Sequence, residues 1–182
     1  MTMRFGIIGV GYFGKHYVRL LQEIKDVELV GIAARSVADM SELPETIKKY
    51  ESADMLLCDL TIDCVIIATP PSSHARLIIS ALEKGKHVLV EKPMALSVLE
   101  AQAIADAADK SGRTCMIGHQ YCYNDYIRVL KKEIEKKTIG DIKYIFAEHI
   151  YPGPVRLDIG CFWETATHEL AIIDYLFGNI NA

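Results

Sequence analysis

The chain has 182 residues, enough for one full domain or for one domain and part of a second, and with 51% hydrophobic and 24% charged residues it can fill a core. A formal net charge of -4 gives no electrostatic basis for nucleic-acid binding, so we expect no nucleic-acid partner. No stretch of about 18 apolar residues occurs, which excludes a membrane-spanning helix from the expected architecture.

In the first 118 residues, apolar β-branched runs alternate with helical patterns. The runs predict strands over 4–10, 27–34, 64–70, 86–91 and 113–118. The patterns between them predict helices over 14–24, 74–85 and 97–112. Ser97 and Glu100 stand in capping-box spacing at the start of the last of these helices. Apolar strands that alternate with helices predict an α/β fold with a doubly wound parallel sheet.

After residue 120 the pattern changes. A helix is predicted over 124–140, an alternating aromatic strand over 141–151 and a last helix over 164–178. We therefore place a domain boundary near residue 120. One strand and two helices are too few to bury a sheet face, so residues 121–182 are expected to form an incomplete α+β second domain.

Three glycines, Gly9, Gly11 and Gly14, follow the first strand in the spacing G-x-G-x-x-G and precede a helix. In this context Gly9 permits a tight turn, Gly11 lets a pyrophosphate approach the backbone, and Gly14 allows close helix–strand packing. The helix N-terminus supplies free N–H groups and a positive dipole end to the phosphates. The segment predicts a dinucleotide site; the alternative is a turn that binds nothing.

The end of the second strand bears on the choice of cofactor. An acid there binds the ribose hydroxyls of NAD, but this sequence has Ala34, followed by Arg35 and Ser36. The missing acid and adjacent arginine favour NADP over NAD. In the alternative interpretation, Arg35 stacks on the adenine or faces solvent, and NAD binds.

Two further motifs make the chain recognisable. "ATPPSSH" (68–74) ends the third strand, and "VLVEKPMA" (88–95) carries the triplet Glu91-Lys92-Pro93 at the end of the next. Together with the glycine loop they resemble the Gfo/Idh/MocA oxidoreductase family, which acts mostly on sugars and polyols. The resemblance implies an NAD(P)-binding Rossmann domain over 1–120 and the beginning of a substrate and oligomerisation domain over 121–182.

The resemblance also implies which residues bind the cofactor and which carry the reaction. Lys92 matches the family's catalytic lysine, and Pro93 matches the proline that follows it. Thr69, Pro70 and His74 match a loop that lines the cofactor. The full expected cofactor set is Gly9, Gly11, Tyr12, Phe13, Gly14, Arg35, Ser36, Thr69, Pro70, His74, Glu91, Lys92 and Pro93.

The stretch that begins at Gly118 departs from the family pattern. It reads "GHQYCYND", with Cys122 where an arginine is usual and Asp125 where a proline is usual. Family branches that act on nucleotide-sugar-like substrates also lack that arginine, and residues 153–164 resemble members thought to oxidise UDP-sugars. A nucleotide-sugar branch is therefore one expectation.

In the second domain the family shows an acid four residues before a histidine, and Glu164 and His168 have this spacing. On a helix, such a pair lies on one face. The expected reaction moves a hydride between a nicotinamide and a secondary alcohol. Lys92 would donate to the substrate oxygen, His168 would act as general base or acid, and Glu164 would orient His168 or bind a hydroxyl.

Each of these three residues also has a structural interpretation. Lys92 reads alternatively as a surface lysine at a strand end, and His168 as a buried histidine whose hydrogen bonds are satisfied. Glu164 reads alternatively as an acid favoured only by the helix dipole.

Family members are longer than this chain, so the second domain is expected to lack strands that complete its sheet. The alternatives are an inactive truncated family member, a compact enzyme completed by another subunit, and a non-catalytic dinucleotide-binding module. The open sheet is where the family forms dimers, so the resemblance implies a homo-oligomer.

The five cysteines form no C-x-x-C pair and their number is odd. This pattern predicts neither a metal site nor a disulfide framework, and it fits a reducing cytoplasm. The first residues lack the long apolar core of a signal peptide, which agrees with a cytoplasmic location.

Overall fold

The computed structural model describes residues 2–34, 46–150 and 158–178. The chain divides into two compact units, Met1–Gly118 and His119–Ala182. In the described segments, no helix combines the length and the apolar character needed to cross a bilayer.

The first unit is built on one six-stranded parallel sheet with the order β3-β2-β1-β4-β5-β6. The strands are β1 (Met3–Ile8), β2 (Val27–Ala33), β3 (Lys48–Tyr50), β4 (Cys64–Ile67), β5 (His87–Val90) and β6 (Cys115–Ile117). The helices are α1 (Tyr12–Glu23), α2 (Ala53–Cys58), α3 (His74–Glu83) and α4 (Val98–Ser111). The predicted doubly wound parallel sheet is confirmed.

Apolar side chains on both faces of the central strands hold the sheet between two helical layers. Neighbouring strand residues point to opposite faces, so Ile7 and Ile66 join one buried cluster with Val18 of α1. Ile8 and Ile67 join a second buried cluster on the other face, with residues of α2, α3 and α4. This double burial explains why the strands are apolar at successive positions.

The predicted ends of helix α4 are confirmed in the structure. Ser97 Oγ accepts a hydrogen bond from the Glu100 backbone N–H at 3.2 Å. Glu100 reaches back to the N–H of Leu96 at 2.9 Å, one residue before the usual capping-box partner. Gly112 ends the helix in the left-handed conformation with φ 63°.

The second unit contains α5 (Asp125–Glu135), a π-turn (Phe162–Ala166) and α6 (Thr167–Phe177). Helices α5 and α6 are linked by Lys131, whose Nζ donates to the Tyr175 carbonyl at 2.7 Å. The predicted strand over 141–151 is wrong for its described part, because residues 141–150 form no strand. A strand needs a partner for its backbone groups, and all described strand pairs lie in the first unit.

A carboxylate at the end of α2 gathers several donors and fixes the loop between α2 and β4. Asp59 accepts bonds from the Thr61 hydroxyl at 2.6 Å and the Thr61 N–H at 2.8 Å. It also accepts from the Tyr50 hydroxyl and from Lys48 Nζ. The bonds from Thr61, then those from Tyr50 and Lys48, hold the pKa of the Asp59 carboxyl well below its ordinary value.

We predict that Asp59→Asn lowers the free energy of unfolding at pH 7 by about 1–2 kcal/mol. A lowered native pKa stabilises the fold above the carboxyl's unfolded pKa, near 4, and this contribution disappears as pH falls. The wild-type and variant urea midpoints should therefore converge between pH 5 and pH 2. Asp54→Asn is the control, since Asp54 pairs with Arg76 at an exposed site, and loss of an exposed pair should change stability by under about 0.5 kcal/mol. A constant wild-type–variant difference across this pH range would contradict the prediction.

Candidate active site at the carboxyl edge of the sheet

Several expected cofactor residues of the first unit follow the neighbouring strands β1, β4 and β5 of the sheet. The chain leaves β1 for β2 on one side, and β4 lies on the other side of β1. This is a topological switch point, where the loops after neighbouring strands diverge and open a crevice. Gly9 follows β1, Thr69 follows β4 and Lys92 follows β5, so all three lie at the carboxyl edge.

The three glycines of the loop have different surroundings. Gly9 has φ 94°, and a Cβ added there would lie 2.7 Å from the Ala68 carbonyl oxygen. A Cβ on Gly14 would overlap the Gly9 carbonyl oxygen, so α1 packs directly against the loop. A Cβ on Gly11 would meet nothing within 4 Å. Gly9 and Gly14 are required by the fold, whereas Gly11 borders open space.

The N-terminus of α1 is open to an anion. Its N-cap residue is Gly11, which has no side chain to accept from the first-turn N–H groups, and the first turn carries no acid. These N–H groups and the positive end of the helix dipole suit a pyrophosphate. Tyr12 and Phe13 stand beside them, 77% and 42% exposed, with ring centroids 5.3 Å apart.

The loop after β4 is held by its own side chains. Ser73 Oγ donates to the Pro70 carbonyl at 2.8 Å, so the Thr69 hydroxyl donates to Ser73 Oγ at 2.7 Å. His74 is fully buried, with Nε2 2.8 Å from the Thr69 carbonyl and Nδ1 2.8 Å from the Pro93 carbonyl. His74 therefore ties the Thr69 loop to the Pro93 loop from below the surface.

The Glu91-Lys92-Pro93 triplet begins where β5 ends, and the Lys92–Pro93 peptide bond is cis. The Glu91 N–H donates to the Ile67 carbonyl at 2.9 Å, which extends the ladder with β4 by one residue. Glu91 Oε1 accepts a 2.7 Å hydrogen bond from the Tyr17 hydroxyl. Burial, followed by the bond to Glu91, raises the pKa of Tyr17 well above its ordinary value.

Ala34 is partly buried after β2, and Arg35 and Ser36 lie outside the described residues. The NADP prediction, which depends on Arg35, stays a prediction.

The second unit carries the remaining expected catalytic residues, Glu164 in the π-turn and His168 in the first turn of α6. His168 is buried, and the Tyr121 ring meets its ring edge-on at 4.8 Å between centroids. Cys122, at the position where the family has an arginine, is half-buried, and its Sγ donates to the Ala171 carbonyl at 3.5 Å.

An acid–histidine contact in the second unit was not predicted from the sequence. His149 Nδ1 lies 2.6 Å from Glu169 Oε1. Partial burial raises the pKa of the Glu169 carboxyl, but the hydrogen bonds from His149 and from the Glu169 backbone outweigh it, and the net shift is downward. No motif marks this pair, since the two residues are far apart in the sequence. In the described part of the chain, no group of three or more His, Cys, Asp or Glu side chains is arranged to hold a metal ion.

Comparisons with known proteins agree with this geometry. A family model described as an oxidoreductase family with an NAD-binding Rossmann fold matches residues 3–119. The inositol 2-dehydrogenase of Salmonella typhimurium is 29% identical over 97% of this chain and 55% of that protein. The glucose-6-phosphate 3-dehydrogenase of Bacillus subtilis is 34% identical over 76% of this chain and 40% of that protein.

Among solved structures, an NAD-binding protein from Listeria innocua matches with a TM-score of 0.82 and 29% identity, over 97% of this chain and 55% of that chain. The chain thus spans about half the length of the curated relatives it matches. The family model covers more than half of the chain, so this protein belongs to the Gfo/Idh/MocA family of oxidoreductases.

Proposed function

We propose that the protein is an NAD(P)-dependent oxidoreductase that moves a hydride between a nicotinamide and a secondary alcohol of a sugar, nucleotide-sugar or polyol. One observation carries the proposal: the open Gly11 face and Lys92 follow two strands on either side of β4, at the same edge of the sheet. The loop at Gly11 would hold the pyrophosphate of a dinucleotide bound across the switch point, and the loop at Lys92 would lie on its nicotinamide side.

The described residues fit a dinucleotide. The space in front of Gly11 accommodates a pyrophosphate, and the uncapped first-turn N–H groups of α1 are available to bind it. When bound, the nicotinamide supplies the hydride chemistry. Pro70 and Pro93 belong to the two loops that His74 connects, and we assign both loops to the cofactor wall.

Three side chains are proposed to take part in proton transfer to and from the substrate hydroxyl. Lys92 donates to the substrate oxygen and stabilises negative charge that develops there. His168 is the general base or acid, because imidazole exchanges protons near neutral pH. Glu164 orients His168 or binds a substrate hydroxyl.

The substrate class rests on the names of the relatives, which act on inositol and glucose-6-phosphate. The nucleotide-sugar possibility rests on the resemblance of residues 153–164 and on Cys122 in place of arginine. We further propose that residues 121–182 begin the substrate and oligomerisation domain. The proposed location is the cytoplasm.

Titration of the protein with NADPH and with NADH tests this proposal directly. Nicotinamide fluorescence should show saturable binding of NADPH to the 182-residue chain, with weaker binding of NADH. Arg35→Ala should weaken NADPH binding about tenfold, the effect of losing about 1.4 kcal/mol of phosphate interaction, and should leave NADH binding within twofold. Lys49→Ala, which removes a positive charge from β3, is the control.

Reduction of NAD(P)⁺ in the presence of myo-inositol, glucose-6-phosphate or a UDP-sugar would establish hydride transfer and one substrate class. A folded chain that binds neither cofactor would refute the proposal. Cofactor binding without turnover on any of the three classes would favour the non-catalytic binding module.

A further inference from the structure

A cleft of about 720 Å³ lies at the amino edge of the sheet in the first unit, at the opposite end of the strands from the glycine loop. Strands β1, β4 and β5 begin beside it. The Asp63 N–H donates to the Arg4 carbonyl at 2.9 Å, and the His87 N–H donates to the Asp63 carbonyl at 3.0 Å. Among the described residues, the lining includes one acid, Asp63, and five basic residues: Arg4, Lys84, Lys86, His87 and Arg113.

The acid of the cleft is paired with one of the basic residues. The Arg4 backbone N–H donates to Asp63 Oδ2 at 2.9 Å, and the Arg4 guanidinium donates to Oδ2 at 3.2 Å and to Oδ1 at 3.3 Å. The side-chain bonds, followed by the backbone bond, hold the pKa of the Asp63 carboxyl below its ordinary value. The negative charge of Asp63 is therefore compensated by Arg4.

Two of the other basic residues keep a positive charge available to a ligand. Lys86 is buried, and its Nζ donates to two backbone carbonyls of the loop between α2 and β4, at 2.7 and 2.9 Å. Lys84 Nζ donates to Cys58 Sγ at 3.4 Å. In the described ranges of the chain, no carboxylate forms an ion pair with Lys84 or Arg113.

The ring of His87 has a donor at each of its two nitrogens. The Thr114 N–H donates to Nδ1 at 3.1 Å, and Arg113 Nη1 lies 3.3 Å from Nε2. A neutral imidazole has one nitrogen that can accept, and a guanidinium only donates. Because the backbone N–H occupies Nδ1, Nε2 carries the proton, and two donors face each other at the cleft. An anionic oxygen beside them would accept a hydrogen bond from both.

We propose that this cleft binds the phosphate group of a small organic phosphate, and this does not rest on the proposed oxidoreductase function. The Arg113 guanidinium and the His87 Nε2–H donate to the phosphate oxygens, and Lys84 adds a second positive charge. The exposed side chains of Met3 and Leu60 border the same cleft and suit a less polar part of the ligand. The volume lies in the range of small-molecule sites and exceeds what phosphate alone needs.

The cleft is separate from the candidate dinucleotide site. Arg4 lies near the start of β1 and Gly9 follows its end, five residues later, so the two are roughly 16 Å apart at about 3.3 Å per residue. A phosphate beside Arg113 would therefore bind at the other edge of the sheet from the pyrophosphate at Gly11. No sequence motif marks this cleft, because the beginnings of separate strands bring its basic residues together.

Histidine ring NMR can follow both sites in one titration with phenyl phosphate at constant ionic strength. The 182-residue chain is labelled with ¹³C at histidine Cε1, and the peaks of His87 and His16 are assigned by their loss in His87→Gln and His16→Gln. His16 lies one turn after Tyr12 on α1, with ring centroids 5.0 Å apart, so its peak reports on the candidate pyrophosphate site. We expect a saturable shift of the His87 peak and an unmoved His16 peak.

Variants at the two available charges test which side chains hold the phosphate. Arg113→Gln should raise the Kd measured at the His87 peak about tenfold, and Lys84→Gln should raise it about threefold, since Arg113 loses both a charge and a hydrogen bond. Arg19→Gln is the matched control and should leave this Kd within twofold. It also removes an arginine charge from the first unit, but Arg19 pairs with Glu23 on α1 and does not line the cleft.

Inorganic phosphate distinguishes the free ion from an organic phosphate. It should shift the same His87 peak with a Kd at least tenfold higher, because it makes no contact with the less polar side of the cleft. Equal affinity for the two probes would overturn the organic ligand. A His87 shift that does not saturate, or one that Arg113→Gln leaves unchanged, would overturn the site itself. Movement of the His16 peak alone would assign phosphate binding to the glycine loop and refute the proposal.

Discussion

Gly14→Ala is expected to lower the free energy of unfolding by about 3 kcal/mol, near the upper end of overpacking effects. The added Cβ would overlap the Gly9 carbonyl oxygen, which is backbone and cannot rotate away. Either α1 or the loop after β1 must move, and the core contacts of Val18 and Leu21 move with α1. Urea unfolding followed by circular dichroism measures the loss.

Gly11→Ala is expected to behave in the opposite way, because its Cβ meets nothing within 4 Å. The melting temperature should stay within about 2 °C of wild type. The Kd for the nicotinamide cofactor should rise about 100-fold or more, because the added methyl group would occupy the space through which the pyrophosphate reaches the backbone. Gly160→Ala, also in open space but in the second unit, should change neither quantity. Equal losses of stability in Gly11→Ala and Gly14→Ala would contradict this division of roles.

The strands of the sheet were predictable because they are buried on both faces. Ile66 and Ile67 enter clusters on opposite sides of β4, and this requires the continuous apolar run that the sequence displays. Strand β3 was missed because Lys48–Tyr50 is three residues long, with both lysines exposed. It is a strand because it pairs with Gly31–Ala33. Such long-range pairing does not require an alternating hydrophobic pattern in the three residues themselves.

The segment over 141–150 shows the opposite failure. Its alternating pattern favours a strand, yet the described residues give it no neighbour with which to pair, and it is without regular structure. The local sequence pattern therefore predicted β-strand propensity correctly but not the secondary structure that these residues adopt.

The positions of candidate site residues were predictable where a motif coincides with the end of a strand. Spacing and strand ends singled out Gly9, Gly14 and Lys92, and the structure places them at one sheet edge, while their roles stay predictions. The contact between Tyr17 and Glu91 was not predicted, since it joins α1 to the residue after β5 across 74 residues of sequence. His74 was expected to line the cofactor, and the structure buries it completely between the two loops that it connects.

Lys92→Ala is expected to lower kcat for hydride transfer by about 10²- to 10⁴-fold, the range for loss of a positioned acid or base. The pyrophosphate groups around Gly11 are untouched, so the Kd for cofactor should stay within about threefold. Lys92→Arg retains the charge but exchanges protons poorly at neutral pH, and should recover only a small part of the rate.

Lys110→Ala, on the far end of α4, is the control for removal of one lysine charge and should leave kcat and Kd within twofold. If Lys92→Ala weakened cofactor binding as much as turnover, Lys92 would belong to the cofactor site and not to proton transfer. If kcat were unchanged, the donor to the substrate oxygen would have to come from another residue, with His168 the first to test. Because kcat and Kd respond differently in these three cases, one set of variants distinguishes a catalytic lysine from a binding lysine and from a surface lysine.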